Sequence, residues 1–362
     1  MIRRTVLTSV GHVAVDRRYF ACPQCRAKAT PFDDWAGLGD RSLTAHARRM
    51  VTLAGTSWSF DAASRRLKEL CHVEVSDDTI ERVCQEEGAA ATKWMDGGSP
   101  APAADFTRAK GLPEFYTDGL KVNTVDGWRE MRLSVFAKRE PGEAATPAEW
   151  RQRVLPDPTV RLASCMIAPS NVVGSSWKRM ADRLGLADSD ELSVGADAAR
   201  WIWDEARKRL SPHAKWFVDV FHVGERLNDC AKAVSGEGEA ARAWALGRLD
   251  RLVELQGPGF IEELDGEIAA SATGPPSPPG EAALRGLRSY LDDNRDSLWY
   301  AQRLAAGLPI GSGLIEGACK TMKGRLCLNA ARWRVRRVER IGALKCLDYS
   351  GQWEAYWRNR AV

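Results

Sequence analysis

From residue 111 onward the apolar residues leave helical spacing and fall into short runs, and this change limits the fold more than any other feature of the 362-residue chain. Runs at 114–124, 129–138 and 160–167 have strand length and strand composition. A helical stretch (177–184) then leads to a strand (191–196), a helix (198–210), a strand (215–221) and a longer helical tract. Hairpins first and alternation afterwards predict a mixed α/β domain.

Upstream the pattern differs. Val6, Val10, Val13 and Val15 alternate with polar residues, predicting a hairpin that ends at Cys22-Pro23-Gln24-Cys25, half of a zinc ribbon. A closed zinc site needs four ligands, and Cys71, His72 and Cys84 stand at unsuitable spacing. Cys22 and Cys25 are therefore either an incomplete Zn²⁺ knuckle or two free thiols near a turn. Ala45, Ala47, Met50, Leu53 and Ala54 recur at helical spacing, and helices are expected at 62–70 and 80–87, the second capped from Ser76. Such a pair reads as a DNA-binding helix-turn-helix or as a plain helical hairpin. Residues 97–104 (GGSPAPAA) read as a flexible linker, and 257–280 as a loop within a helical insertion.

Nine cysteines, an odd number with one close pair, do not make a secreted disulfide framework. No run of about 18 apolar residues and no signal-like amino terminus occurs, so a cytoplasmic protein without a membrane span is expected. Residues 315–362 carry eleven Lys/Arg against four Asp/Glu, which puts the basic excess at the carboxy-terminal end.

Several carboxylates invite a chemical reading. Asp118, in Thr117-Asp118-Gly119, is either a turn residue or a side chain projected from a rigid strand. Asp197 ends an apolar strand just before Trp201-Ile202-Trp203, as a helix cap or at a functional strand end. Glu316 follows Gly311-Ser312-Gly313 in the first turn of a helix, with Lys320 and Lys323 on its face; a solvated ion pair is the simple alternative. Together the three form the oxygen-rich group that two Mg²⁺ or Mn²⁺ ions about 4 Å apart require for phosphodiester chemistry. Asp219 and His222 form a further pair, able to act on a phosphate or a proton or simply to cap a helix.

In this order the motifs Thr117-Asp118-Gly119, Gly195-Ala196-Asp197-Ala198-Ala199-Arg200-Trp201-Ile202-Trp203, Val218-Asp219-Val220-Phe221-His222 and Gly311-Ser312-Gly313-Leu314-Ile315-Glu316-Gly317-Ala318-Cys319-Lys320 resemble ISKra-type insertion-sequence transposases, in the mutator-like group of bacterial DDE transposases. Gly324-Arg325-Leu326 and Ala331-Arg332-Trp333 fit as well, and the similarity spans most of the chain. The resemblance implies an RNase H-like catalytic core (111–362) with a helical insertion at about 224–305. Ahead of it would stand a zinc-ribbon-like segment (1–38) and a helical DNA-binding region (39–104). It also implies Asp118, Asp197 and Glu316 as the metal-binding triad, Asp219 and His222 as a (Cys/Asp)xxH element, and cleavage at element ends followed by joining of the 3′ hydroxyl to target DNA. Relatives carry a second cysteine knuckle upstream, which this sequence lacks.

Lys320, Lys323, Arg325, Arg332, Arg334, Arg336 and Arg337 would then neutralise phosphates of double-stranded DNA, both terminal inverted repeats and target. A homodimer or higher assembly on DNA and a nucleoid-associated location follow from the same resemblance. Two other readings stay open: a transposase-derived protein that binds DNA without cutting it, and a stand-alone metal-dependent nuclease.

Overall fold

The structure, a computed structural model, describes residues 1–38, 42–271 and 278–360. The expected amino-terminal hairpin is formed by β1 (Ile2–Thr8) and β2 (Gly11–Arg17), antiparallel from Ile2↔Arg17 to Thr8↔Gly11. A second, shorter hairpin, β3 (Phe20–Ala21) and β4 (Lys28–Ala29), brackets Cys22 and Cys25 and leads into α1 (Pro31–Trp35).

Three capped helices follow. Thr44 opens α2 (Ala45–Ser57), Ser59 opens α3 (Phe60–Cys71) and Ser76 opens α4 (Asp77–Lys93), each hydroxyl accepting a first-turn backbone N–H. Of the stretch 97–104, expected as a flexible linker, Gly97 (φ +122°) and the extended Ser99 form a turn, and the residues from Ala101 on belong instead to α5 (Ala101–Arg108). Pro100 and Pro102 sit at the start of α5, where a helix needs no proline N–H, so the residues that suggested a linker serve as a start signal. Arg183 fastens this turn by donating to the carbonyls of Met95 and Ser99.

The mixed α/β expectation is met by a five-stranded sheet. Its strands are β5 (Leu112–Thr124), β6 (Gly127–Arg139), β7 (Val160–Met166), β8 (Ser193–Ala196) and β9 (Lys215–Val218), with α6 (Ser170–Arg183) and α7 (Arg200–Arg209) between the later ones. The order across the sheet is β7-β6-β5-β8-β9: the first three are antiparallel, while β8 lies parallel to both β5 and β9. Residues 219–221, expected to extend β9, instead turn into α8 (Val220–Ser235), because the Asp219 carboxylate accepts the N–H of Phe221 and caps that helix.

Beyond α8 come α9 (Glu239–Ser271), α10 (Pro278–Asp293), α11 (Tyr300–Ala305), α12 (Gly313–Leu326), α13 (Val335–Tyr349) and α14 (Trp353–Arg360). The loop expected at 257–280 is helical as far as 271. Gln256, at φ +61°, breaks α9, and Pro258 falls in the turn just after the break, where it costs no hydrogen bond. Residues 272–277 of that expectation lie outside the described residues.

Strand alternation decides what each face of the sheet meets. Phe115 contacts Trp177 of α6, and Thr117 bonds to Ser134, which accepts the Trp177 indole N–H at 2.7 Å. Asp118, of opposite parity, faces α12, where Cys319 lies 3.5 Å from its Oδ2. Behind α12 and α13 stand α2 and α4. A Cβ on Gly88 of α4 would come within 2.4 Å of the Arg340 carbonyl, so only glycine allows α4 and α13 this approach. One continuous apolar core runs from Leu7 to Trp357, so the expected helical region and the sheet-bearing region share it. Among the described residues, no helix is long and apolar enough to cross a membrane.

Candidate functional site

Asp118 is not in a turn. It occupies the middle of the 13-residue β5, paired with Leu133 of β6, because Leu120 and Val122 continue the buried alternation beyond Gly119. On the other side of β5, β8 runs parallel with Tyr116 opposite Gly195; two residues further along both chains stand Asp118 and Asp197. The register thus sets the two aspartates side by side at the carboxyl end of β8. Asp197 is not the cap of α7, since Ala199 holds that position; its Oδ1 accepts the Ala199 N–H at 3.2 Å. Burial pushes the Asp197 carboxyl above its ordinary pKa. The Ala199 N–H and His222 pull it back, and Asp118 and Glu130 push it further up.

Glu130 is a neighbour that the sequence did not single out. Its carboxylate lies over Gly119, where a Cβ would meet Oε1 at 2.7 Å, so the glycine after Asp118 leaves the Glu130 side chain room in the paired strand and is not part of a turn.

Asp219 ties the surrounding elements together. Its Oδ1 accepts the Phe221 N–H at 2.7 Å, and its Oδ2 accepts the Ser312 N–H at 3.1 Å and the Ser312 hydroxyl. The same Oδ2 lies 3.2 Å from His222 Nδ1, an ion-pair distance off line for a hydrogen bond. Burial pushes Asp219 up, but His222, Ser312 and the Phe221 N–H outweigh it and hold the carboxyl below its ordinary pKa. His222 is raised to about 9, chiefly by Asp219, with burial opposing and Asp197 adding to the rise. At neutral pH it is an imidazolium beside the aspartate pair. Asp219, buried and accepting from Phe221 and Ser312, orients His222 and the start of α12.

Glu316 lies in the first turn of α12, one turn before Cys319, which touches Asp118. Burial and Asp118 push the Cys319 thiol up to about 12, so it stays protonated there. The Glu316 carboxylate is exposed and pairs with Lys320 at 2.9 Å. Two hard oxygen donors on neighbouring strands, one of them desolvated, suit a divalent cation. Among the described residues, however, no three His, Cys, Asp or Glu side chains are grouped closely enough to hold one ion. The structure brings Asp118 and Asp197 together and sets the helix of Glu316 against them, but turns its carboxylate to Lys320.

No protein-family model matches the chain, and no curated protein does.

The basic residues divide into two groups. Lys323, Arg332, Arg334 and Arg336 are exposed, while Lys320 and Arg337 are also exposed but pair with Glu316 and Glu81. Arg325 departs from the phosphate-binding expectation: it is 2% exposed, donates to the Gly55 carbonyl at 2.9 Å and lies over Phe60 and Trp333. The exposed residues of α4 are Asp77, Asp78, Arg82, Glu86, Thr92 and Lys93, a face of mixed charge. Cys22 is held below its ordinary thiol pKa by hydrogen bonds from Cys25 and Gln24, as in a knuckle, but among the described residues no further ligand is grouped with the pair.

Proposed function

We propose that the chain is an ISKra-type DDE transposase that cuts DNA at insertion-sequence ends and joins the freed 3′ hydroxyl to target DNA. The observation that carries this reading is the Asp118–Asp197 pair on adjacent parallel strands, with the Glu316 helix packed against β5. In this reading the five-stranded sheet is an RNase H-like core, the β3–β4 hairpin is zinc-ribbon-like, and the partners are terminal and target DNA bound by a homodimer or larger assembly in the nucleoid. Asp118 and Asp197 would hold Mg²⁺ or Mn²⁺, with Glu316 joining them on release from Lys320. Bound there, two such ions activate the attacking oxygen and stabilise the leaving one. The chain's own contribution is to fix the carboxylates, to hold a cation at His222 close to the reacting phosphate, and to present Lys323, Arg334 and Arg336 to the backbone.

The test is Mg²⁺-dependent nicking of duplex DNA taken from the flanks of the gene. Asp118→Asn, Asp197→Asn and Glu316→Gln are each expected to lower the rate by roughly 100-fold or more with DNA binding retained. Wild-type nicking by any of the three removes that residue from the site. One observation favours the second reading, a transposase-derived DNA-binding protein without cutting: Glu316 is engaged with Lys320. An inactive wild-type protein that still binds the flanking DNA would establish it.

A further inference from the structure

Next to the aspartate site, a pocket of 450 Å³ opens between the segment after β6 and the starts of α8 and α12. Its walls include Trp150, Phe221, Ile310 and Arg153, and no acidic residue lines it. Phe221, beside His222, is 59% exposed, a large ring that the core does not use. One side of the ring rests on Gly311, where a Cβ would come within 3.0 Å, and Trp150 abuts it with ring centroids 6.0 Å apart. Gly311 and Trp150 thus fix the ring as a rigid platform.

The pocket is also electropositive. Arg153 donates from Nη1 to the Leu308 carbonyl at 2.7 Å, its buried Nε and Nη2 have no acceptor, and among the described residues no carboxylate pairs with it. The first-turn N–H groups of Gly313 and Leu314 likewise have no acceptor among the described residues, and nothing stands within 4 Å of where a Gly313 Cβ would be. A fixed π-surface beside uncompensated positive charge suits a flat, apolar group carrying an anion.

We propose that this pocket holds one unstacked nucleotide of a DNA strand, its base on Phe221 and its phosphate toward Arg153 and the start of α12. The proposal rests on the DNA-processing reading above and names the part of the strand that this site takes. A peptide would satisfy the ring but not the positive charge unless it were acidic.

The probe is a single-stranded thymidine oligonucleotide with one central 2-aminopurine, bound in EDTA so that no cleavage step is involved. Wild-type protein is expected to quench the 2-aminopurine emission. Phe221→Ala should abolish the quenching and weaken binding roughly 5- to 100-fold, and Phe221→Trp should restore both. Arg153→Gln should weaken binding while leaving the quenching at saturation. Unchanged emission with the wild type, or full quenching by Phe221→Ala, overturns the pocket; so does displacement by an acidic aromatic peptide but not by a nucleoside monophosphate. Quenching with no Mg²⁺-dependent nicking overturns the enzymatic reading alone, and nicking without quenching overturns the pocket alone.

Discussion

Arg325 stands in a sequence run of Lys and Arg, yet its guanidinium is enclosed by Phe60, Trp333 and the Gly55 carbonyl. Burial lowers its pKa to about 10. Its removal should act on folding, not on DNA: Arg325→Ala is expected to cost about 2–4 kcal/mol, read by urea denaturation, through lost packing and an orphaned carbonyl. Arg334→Ala and Arg336→Ala should leave stability within about 0.5 kcal/mol and reduce the salt dependence of DNA binding. Composition records charge but not enclosure, so the sequence could not separate these residues; the tertiary approach of α3 to the segment after α12 decides it. Asp219 is a parallel case. Its spacing to His222 was legible, but its bonds to Ser312, 93 positions on, were not. Asp219→Asn should bring the His222 pKa back down from about 9 toward 6.5, measurable by NMR titration of the ring; a pKa left unchanged would show that Asp219 does not orient it.

Among the elements, strands were easier to read than the segments joining them. Period-two alternation with bulky β-formers fixed β5, β6 and β7 to within a residue or two, because those side chains have to meet opposite faces. Asp-Gly and the Pro/Gly stretch misled for the same reason: a turn-forming residue states only what a backbone can do, and register or a helix start can use it differently. Gly119 stays in a strand, paired with Arg132 in the β5–β6 ladder, and Pro100 opens α5. Gly88 belongs with them. Its role is the close contact of α4 with the backbone at Arg340, a rigid neighbour that cannot swing aside. Gly88→Ala is therefore expected to destabilise by about 1–3 kcal/mol despite its better helix propensity, and equal or greater stability in urea would mean that the two helices can part.

Across the whole molecule, α2, α4 and α14 meet at a buried charge cluster. Glu87, fully enclosed, accepts from Arg48 at 2.6 Å, from Arg360 at 2.9 Å and from the Tyr356 hydroxyl. Burial pushes Glu87 up, but Arg360, Tyr356 and Arg48 outweigh it and hold the carboxyl below its ordinary value. A depressed carboxyl contributes stability that is complete above its unfolded pKa, near 4.5, and is lost as pH falls through the folded one. Urea midpoints measured from pH 7 to 3 should fall at the acid end. Glu87→Gln should cost about 3 kcal/mol at pH 7 by leaving Arg360 without a carboxylate and Arg48 with Glu86 alone, and should flatten that fall. The contact of α4 with α13 has a consequence for biosynthesis. Gln85 donates to the Arg337 carbonyl, a partner made 252 residues later, so α4 leaves the ribosome long before the surface that covers it exists. The early helices can pack on one another, but the face of α4 that meets α13 stays uncovered for most of translation, a stretch of exposed surface that a chaperone could shield.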